Sequence, residues 1–293
     1  MSSLENRRVI LVDRPKGVPG PEFFALDKRA APQPGDGEFL VQNQFLSVEP
    51  AMRGWVNDAP NYSPPVPVGD VMRAFAVGKI IKSNNPNFKD GEIVSGLFGW
   101  QRYAVSDGSS VVTRMTNIDQ PQSYALGILG LNGITAYCGL IYQGEPKPNE
   151  TVVVSTAAGS VGSCVGQIAK IKGCRTVGIT GGPTKVQQCL DEFGYDVSID
   201  YKNTMDLGSA VAEACPDGVH VYFDNTCGLI SDAVMENLGM HARVIICGTS
   251  SVPDWIPLPT GPRVHRQLLV NRARMSGLLI FDYKEHYAEA VQK

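Results

Sequence analysis

Hydrophobic and polar positions change their rhythm along this 293-residue chain. Up to about residue 125, short β-branched or alternating runs (Val9 to Val12, Phe39 to Ser47, Val77 to Ser83, Glu92 to Phe98, Gln101 to Val105, Val111 to Arg114) are separated by Gly, Pro, Asn and Asp. Little helical periodicity occurs there, so the stretch reads as a β-rich domain. Around Tyr124 the pattern turns small and apolar, ALGILGLNGITAYCGLIYQG, and predicts a buried helix. From Thr151, strand patterns at 151–155, 175–180, 197–199, 219–224, 242–247 and 274–280 alternate with helical ones near 162–172, 184–193, 206–214 and 231–238. That alternation predicts a doubly wound parallel sheet. The expected class is α/β, with a β-rich domain over 1–125 and a nucleotide-binding domain over 126–293.

The stretch TVVVSTAAGSVGSCVG, Thr151 to Gly166, joins a strand to a glycine-spaced turn and a helix. Thr151 to Val154 are a continuous β-branched run, as in a strand covered on both faces. Gly159, Gly162 and Gly166 permit a tight turn, close approach to a pyrophosphate and close packing of a helix on the sheet. The amides that open the helix, from Gly159 through Ser160 and Val161 to Gly162, are the expected phosphate donors. The spacing, G-x-x-G-x-x-x-G, is a variant of the usual dinucleotide fingerprint, supported here by strand, turn and amphipathic helix together.

The next strand bears on which dinucleotide. Arg175 to Thr180 ends where an NAD site places an acid on the ribose hydroxyls, yet Gly181-Gly182-Pro183-Thr184-Lys185 follows. An uncharged turn and then an ammonium suit the 2′-phosphate of NADPH; the structural alternative is that Lys185 is simply a solvated residue in the first turn of a helix.

Composition narrows the field. Apolar residues make up 43% and charged ones 19%, and the net charge is −3, with no basic run interleaved with aromatics. Nucleic-acid binding is disfavoured. No apolar leader or membrane-length run appears, which predicts a cytoplasmic protein whose two Asn-x-Ser/Thr sequons stay unmodified. Seven Cys without a C-x-x-C pair and four unpaired His indicate neither a disulfide framework nor a metal site. At the carboxyl end, Asp282 is placed to cap a helix with Glu285 three residues on, yet the pattern reaches Lys293 without a stop signal, as in a chain cut short.

Several segments carry a family resemblance: Ser47-Val48-Glu49-Pro50-Ala51-Met52-Arg53, Val68-Gly69-Asp70-Val71-Met72, Leu131-Asn132-Gly133-Ile134-Thr135-Ala136-Tyr137, the glycine turn with Gln167-Ile168-Ala169-Lys170, Phe223-Asp224-Asn225, and Ile246-Cys247-Gly248. Together they resemble the zinc-independent medium-chain dehydrogenase/reductases, in particular the NADP-dependent alkenal/one oxidoreductase, prostaglandin reductase and curcumin reductase group. The resemblance implies a GroES-like β-domain and a Rossmann domain, NADPH as cofactor, and a homodimer. It implies that Gly159 to Gly162 hold the pyrophosphate, Lys185 and Tyr201 the 2′-phosphate, and Asn225, Cys247 and Gly248 the ribose and nicotinamide approach. Thr135 and the backbone at Leu278, Leu279 and Ile280 are expected to line the cofactor cleft.

The zinc-dependent relatives' Cys and His are missing from Leu46-Ser47-Val48-Glu49 and Gly69-Asp70, so no metal is expected. The implied reaction is metal-free hydride transfer to the C=C bond of an α,β-unsaturated ketone or aldehyde. A quinone reductase and an NADPH-binding protein without turnover are the alternatives. Ala51 stands where several relatives have a Tyr; Tyr62, in Asn61-Tyr62-Ser63-Pro64-Pro65, is the candidate replacement, or else a loop aromatic covering the β-domain. Relatives also continue a few tens of residues past the position of Lys293.

Overall fold

Two kinds of sheet underlie the two rhythms of the sequence. The computed structural model describes residues 4–59, 61–115, 119–252 and 257–293. They form two units, Met1–Leu131 and Asn132–Lys293.

In the first unit, β1 (Glu5–Leu11) pairs antiparallel with β2 (Phe24–Ala30). Strands β3 (Phe39–Leu46), β4 (Ala76–Ser83), β5 (Ile93–Gly96), β6 (Tyr103–Ser106) and β7 (Val111–Met115) make an antiparallel sheet in the order β6-β3-β4-β5-β7. Phe39, Val41, Ala76, Ile80, Val94, Phe98 and Ala104 pack together on it. Phe39 and Val41 are two apart on β3, as the twofold period of a strand requires. The sequence pattern missed β2, because FALDKRA keeps most of its side chains out of the core; Arg8 Nε donates to Asp27 Oδ2 at 2.9 Å across the ribbon. It also missed the short helix α1 (Ala51–Trp55), which buries Met52 and Trp55.

The second unit opens with α2 (Leu131–Cys138), which continues as a π-helical turn over Gly139–Gly144. Its sheet comprises β8 (Thr151–Ser155), β9 (Arg175–Thr180), β10 (Val197–Asp200), β11 (Val219–Asp224), β12 (Leu238–Ile246) and β13 (Arg274–Gly277). The strands run parallel in the order β10-β9-β8-β11-β12-β13. The connecting helices are α3 (Ser160–Ile171), α4 (Pro183–Asp191), α5 (Leu207–Ala214), α6 (Gly228–Met235) and α7 (His265–Asn271). Val153, Val177, Tyr222 and Val244 pack with Val211 and Val234 of α5 and α6 on one face. On the other, Val152, Val154, Val221, Phe223 and Ile245 pack with Leu140, Val165 and Ala169. Both faces are covered, which is why β8 is buried at every position.

The carboxyl end differs from expectation. The strand expected over 274–280 stops at Gly277, and a 3-10 turn spans Ile280–His286. The helix expected to start at Asp282 begins instead at Tyr287, as α8 (Tyr287–Gln292). Tertiary bonds decide its position: Tyr137 and Tyr142 donate to Glu289 at 2.8 and 2.9 Å, and Tyr142 stacks on Tyr283.

Candidate active site

The turn after β8 is shaped for an anion. Thr156 holds a left-handed φ of 53°, uncommon for a β-branched residue, and its carbonyl accepts the Gly159 amide at 2.8 Å. A Cβ on Gly162 would stand 2.2 Å from that carbonyl, and one on Gly159 would stand 2.7 Å from the Thr156 methyl. Glycine is therefore needed at both positions. Gly159 brings no side chain to cap α3, and among the described residues the amides of Ser160, Val161 and Gly162 have no protein acceptor. Open amides at the positive end of a twelve-residue helix fit a pyrophosphate.

Beside it, β9 is followed by Gly181 and Gly182, the latter at φ 92°, and Pro183 starts α4. Lys185 is exposed in the first turn of that helix. Tyr201, 40% exposed, closes over Gly181 together with the stem of Lys202: a Cβ there would be 2.9 Å from the Tyr201 ring and 3.0 Å from Lys202 Cε. An acid that the sequence reading overlooked also stands here. Asp200 Oδ1 accepts from the Gly182 amide at 2.9 Å and the Lys202 amide at 3.1 Å, and Oδ2 accepts from Asn203 at 2.7 Å. The Gly182 bond first, then those from the Asn203 side chain and the Lys202 amide, hold its carboxyl below the ordinary range. Since it sits on β10 and not on β9, only the fold brings it to this loop.

The ends of β11 and β12 meet through Asp224, which is fully buried. Its carbonyl accepts the Cys247 and Gly248 amides at 2.8 and 3.1 Å. Asn225 donates its amide to Ser155 Oγ and its Nδ2 to Ser155 O, both at 2.8 Å. A Cβ on Gly248 would be 2.8 Å from Asn225 O, so the two backbones touch. Leu278 donates its amide to Ile246 O at 2.9 Å, one residue before Cys247. Burial, then the Asp224 charge, push the Cys247 thiol up to about 12, so it stays a neutral thiol. Asn225, Cys247, Gly248 and Leu278 are thus brought together; Leu279 is half-buried, Ile280 is buried in the turn beyond, and Thr135 is half-buried on α2.

The first unit carries its own polar group. Tyr62 is 53% exposed, and its loop is held by Arg73, which donates to Ser63 Oγ at 3.0 Å and Pro64 O at 2.7 Å. Nearby in sequence, Ser47 Oγ donates to Glu49 at 2.7 Å, while burial pushes the Glu49 carboxyl upward. The sequence reading used Glu49 only as part of a motif, because its burial follows from tertiary packing.

Comparison with known proteins places this geometry. The model described as N-terminal domain of oxidoreductase matches residues 7–113, and the zinc-binding dehydrogenase model matches 160–293. The chain is 40% identical over 292 residues to the NADPH-dependent curcumin reductase of Escherichia coli strain K12, covering 98% of this chain and 84% of that protein. It belongs to the zinc-independent NADP-dependent medium-chain dehydrogenase/reductases. This reductase chain is also 34% identical to the NADP-dependent 2-alkenal reductase of Nicotiana tabacum, over 99% of its length and 85% of that protein. CurA from Vibrio vulnificus, solved in complex with NADPH, superposes with a TM-score of 0.89 at 41% identity, covering 98% of this chain and 86% of that one. Although one matching description speaks of zinc, among the described residues no three His, Cys, Asp or Glu gather as metal ligands. Nor is any described helix long and apolar enough to cross a membrane.

Proposed function

We propose that this reductase reduces the C=C bond of α,β-unsaturated ketones or aldehydes with NADPH and without a metal. The observation that carries the reading is identity of 34% to 40%, sustained over essentially the whole chain, to reductases named for alkenals and curcumin. The open amides of α3 support it independently, since they fit the cofactor's pyrophosphate.

NADPH, when bound, supplies the hydride. In this reading the chain's second unit is the Rossmann NADP-binding domain and the first is the substrate domain. Ser160, Val161 and Gly162 bind the pyrophosphate beside Gly159. Lys185 and Tyr201 receive the 2′-phosphate. Asn225, Cys247 and Gly248 orient the ribose and nicotinamide, and Thr135 and Leu278 to Ile280 line the cleft. The Tyr62 phenol would polarise the substrate carbonyl, whose oxygen would carry the charge of the enolate formed when bound NADPH supplies hydride at the β-carbon, and water would supply the proton that completes the addition at the α-carbon. The enzyme is cytoplasmic and homodimeric. Support for the dimer comes from β13, an edge strand whose four residues are all exposed and which can pair with a second copy.

The test is NADPH oxidation against a panel of enals, enones and quinones, with mass spectrometry of the product and exhaustive chelation in parallel. Two hydrogens added across the C=C bond, unaffected by chelation, is the expected result. Turnover of quinones alone, or tight NADPH binding with no oxidation by any acceptor, overturns it. Light scattering at twice the chain mass is expected for the dimer.

A further inference from the structure

Strand order separates the two ends of the cofactor site. In a doubly wound sheet, ligands lie across the carboxyl ends of the strands, spanning the point where the order reverses, here between β8 and β11. The phosphate turn follows β8, and the Gly181–Gly182 loop with Lys185 and Tyr201 lies on the β9 and β10 side. The ends of β11 and β12 are left for the other half of the dinucleotide, the half that carries the reacting ring.

One side chain ties those ends together. Asp224 Oδ1 accepts from Ser155 Oγ at 3.1 Å, reaching across to the end of β8. The same oxygen accepts from the Thr226 and Cys227 amides, both at 2.9 Å, and from Thr226 Oγ1 at 3.3 Å, closing the turn into α6. Through its carbonyl the residue holds the first two residues after β12, Cys247 and Gly248. Ser155 Oγ then accepts the Asn225 amide, and Ser155 O accepts the Asn225 side chain, so Asn225 is aimed through the same network.

As a stability device this residue is a poor choice. Asp224 is 0% exposed, and the Tyr222 hydroxyl two residues earlier, also fully buried, lies against the same Ser155, Asp224 and Thr226 side chains. A carboxylate taken wholly out of water costs stability that an apolar residue would not. The turn it closes also contains Cys227 at φ 64° and ψ −167°, a region otherwise left to glycine.

We infer that Asp224 is a positioning residue that fixes Asn225, Cys247 and Gly248 as a rigid seat for the nicotinamide half of NADPH. It acts through these neighbours and does not touch the substrate. The inference rests on the cofactor reading above, and it separates the two ends of one ligand: loss of Asp224 loosens the nicotinamide end and spares the phosphate end.

The test compares NADPH with 2′,5′-ADP, which carries only the adenosine end, by calorimetric titration of wild type and of Asp224→Ala, Asp224→Asn and Ser155→Ala. For Asp224→Ala, NADPH affinity is expected to fall roughly tenfold, as for one lost buried hydrogen-bond network, and 2′,5′-ADP affinity to stay within about twofold. The shift in NADPH fluorescence on binding shrinks in parallel. Asp224→Asn, which keeps an acceptor for the two amides, recovers part of the loss, and Ser155→Ala shows a smaller loss of the same kind. Should Asp224→Ala fail to fold, the Asn and Ser155 variants carry the comparison. Equal weakening of both ligands, or of neither, overturns the inference. Wild type that binds neither ligand overturns the cofactor reading itself, and the inference with it.

Discussion

The Tyr195 hydroxyl donates to the Gly162 carbonyl at 2.6 Å, and the ring of the same residue fills the space beside Gly166. A single buried aromatic, 4% exposed, thereby sets the distance of α3 from the sheet at the glycine turn. It also accounts for the third glycine of the turn sequence, since a Cβ on Gly166 would be 2.3 Å from Tyr195 Cζ. The glycine that allows close packing and the tyrosine packed there are 29 positions apart in the chain.

Gly166→Ala must therefore displace either the ring or the helix. A loss of about 1–3 kcal/mol is expected from overpacking. Tyr195→Phe keeps the ring and removes only the hydroxyl bond, for about 1 kcal/mol. Urea denaturation of the two variants checks the order: a Gly166→Ala protein as stable as wild type would show that the contact is slack.

Lys185→Ala should weaken NADPH by about 1.5 kcal/mol, roughly tenfold, and leave NADH nearly unchanged, because only NADPH carries the 2′-phosphate. Fluorescence titration with both cofactors decides it. Equal losses would assign Lys185 to the solvated helix surface.

Cys227 occupies backbone space suited to glycine, and its geometry persists because Asp224 accepts its amide and Ser251 Oγ donates to its carbonyl at 3.0 Å. Cys227→Gly relieves strain of order 1–3 kcal/mol, offset by roughly 0.5–1 kcal/mol of added freedom in the unfolded chain. A net gain of about 1 kcal/mol, visible as a higher Tm, is expected. An unchanged or lower Tm would mean that the thiol's packing outweighs the strain.

Glu150 and Arg243 form a bidentate pair, with Nη1 to Oε1 at 2.9 Å and Nη2 to Oε2 at 2.5 Å, joining the entry of β8 to β12. Burial pulls the Glu150 carboxyl upward, but the Arg243 bonds and the Lys147 amide together hold it below the ordinary glutamate range. A carboxyl lowered by folding contributes its stability above the unfolded-state pKa and loses it as pH falls through the folded-state value. Wild type should therefore lose stability more steeply on acidification below the ordinary glutamate pKa than Glu150→Gln does. At neutral pH the variant should be weaker by about 2 kcal/mol. Denaturation midpoints against pH test this, and parallel curves for the two proteins would refute the pair's role.

Alone, the sequence determined the parallel sheet and its glycine turn, because both are local. The β-branched run Thr151 to Val154 and the spacing of Gly159, Gly162 and Gly166 encode strand, turn and helix within sixteen residues, where backbone sterics suffice. Strand β2 was not legible, since its charged residues pair across a ribbon and do not alternate around a core. The start of α8 was set by two tyrosine hydroxyls from α2 and the π-helical turn, which outweigh the local cap signal at Asp282. Tertiary structure likewise decided that Asp200 from β10 seats the loop after β9, that Tyr195 fills the space beside Gly166, and that Asp224 joins the ends of β8, β11 and β12. Each joins segments well separated along the chain, and the burial that gives such contacts their energy exists only once the sheet has formed.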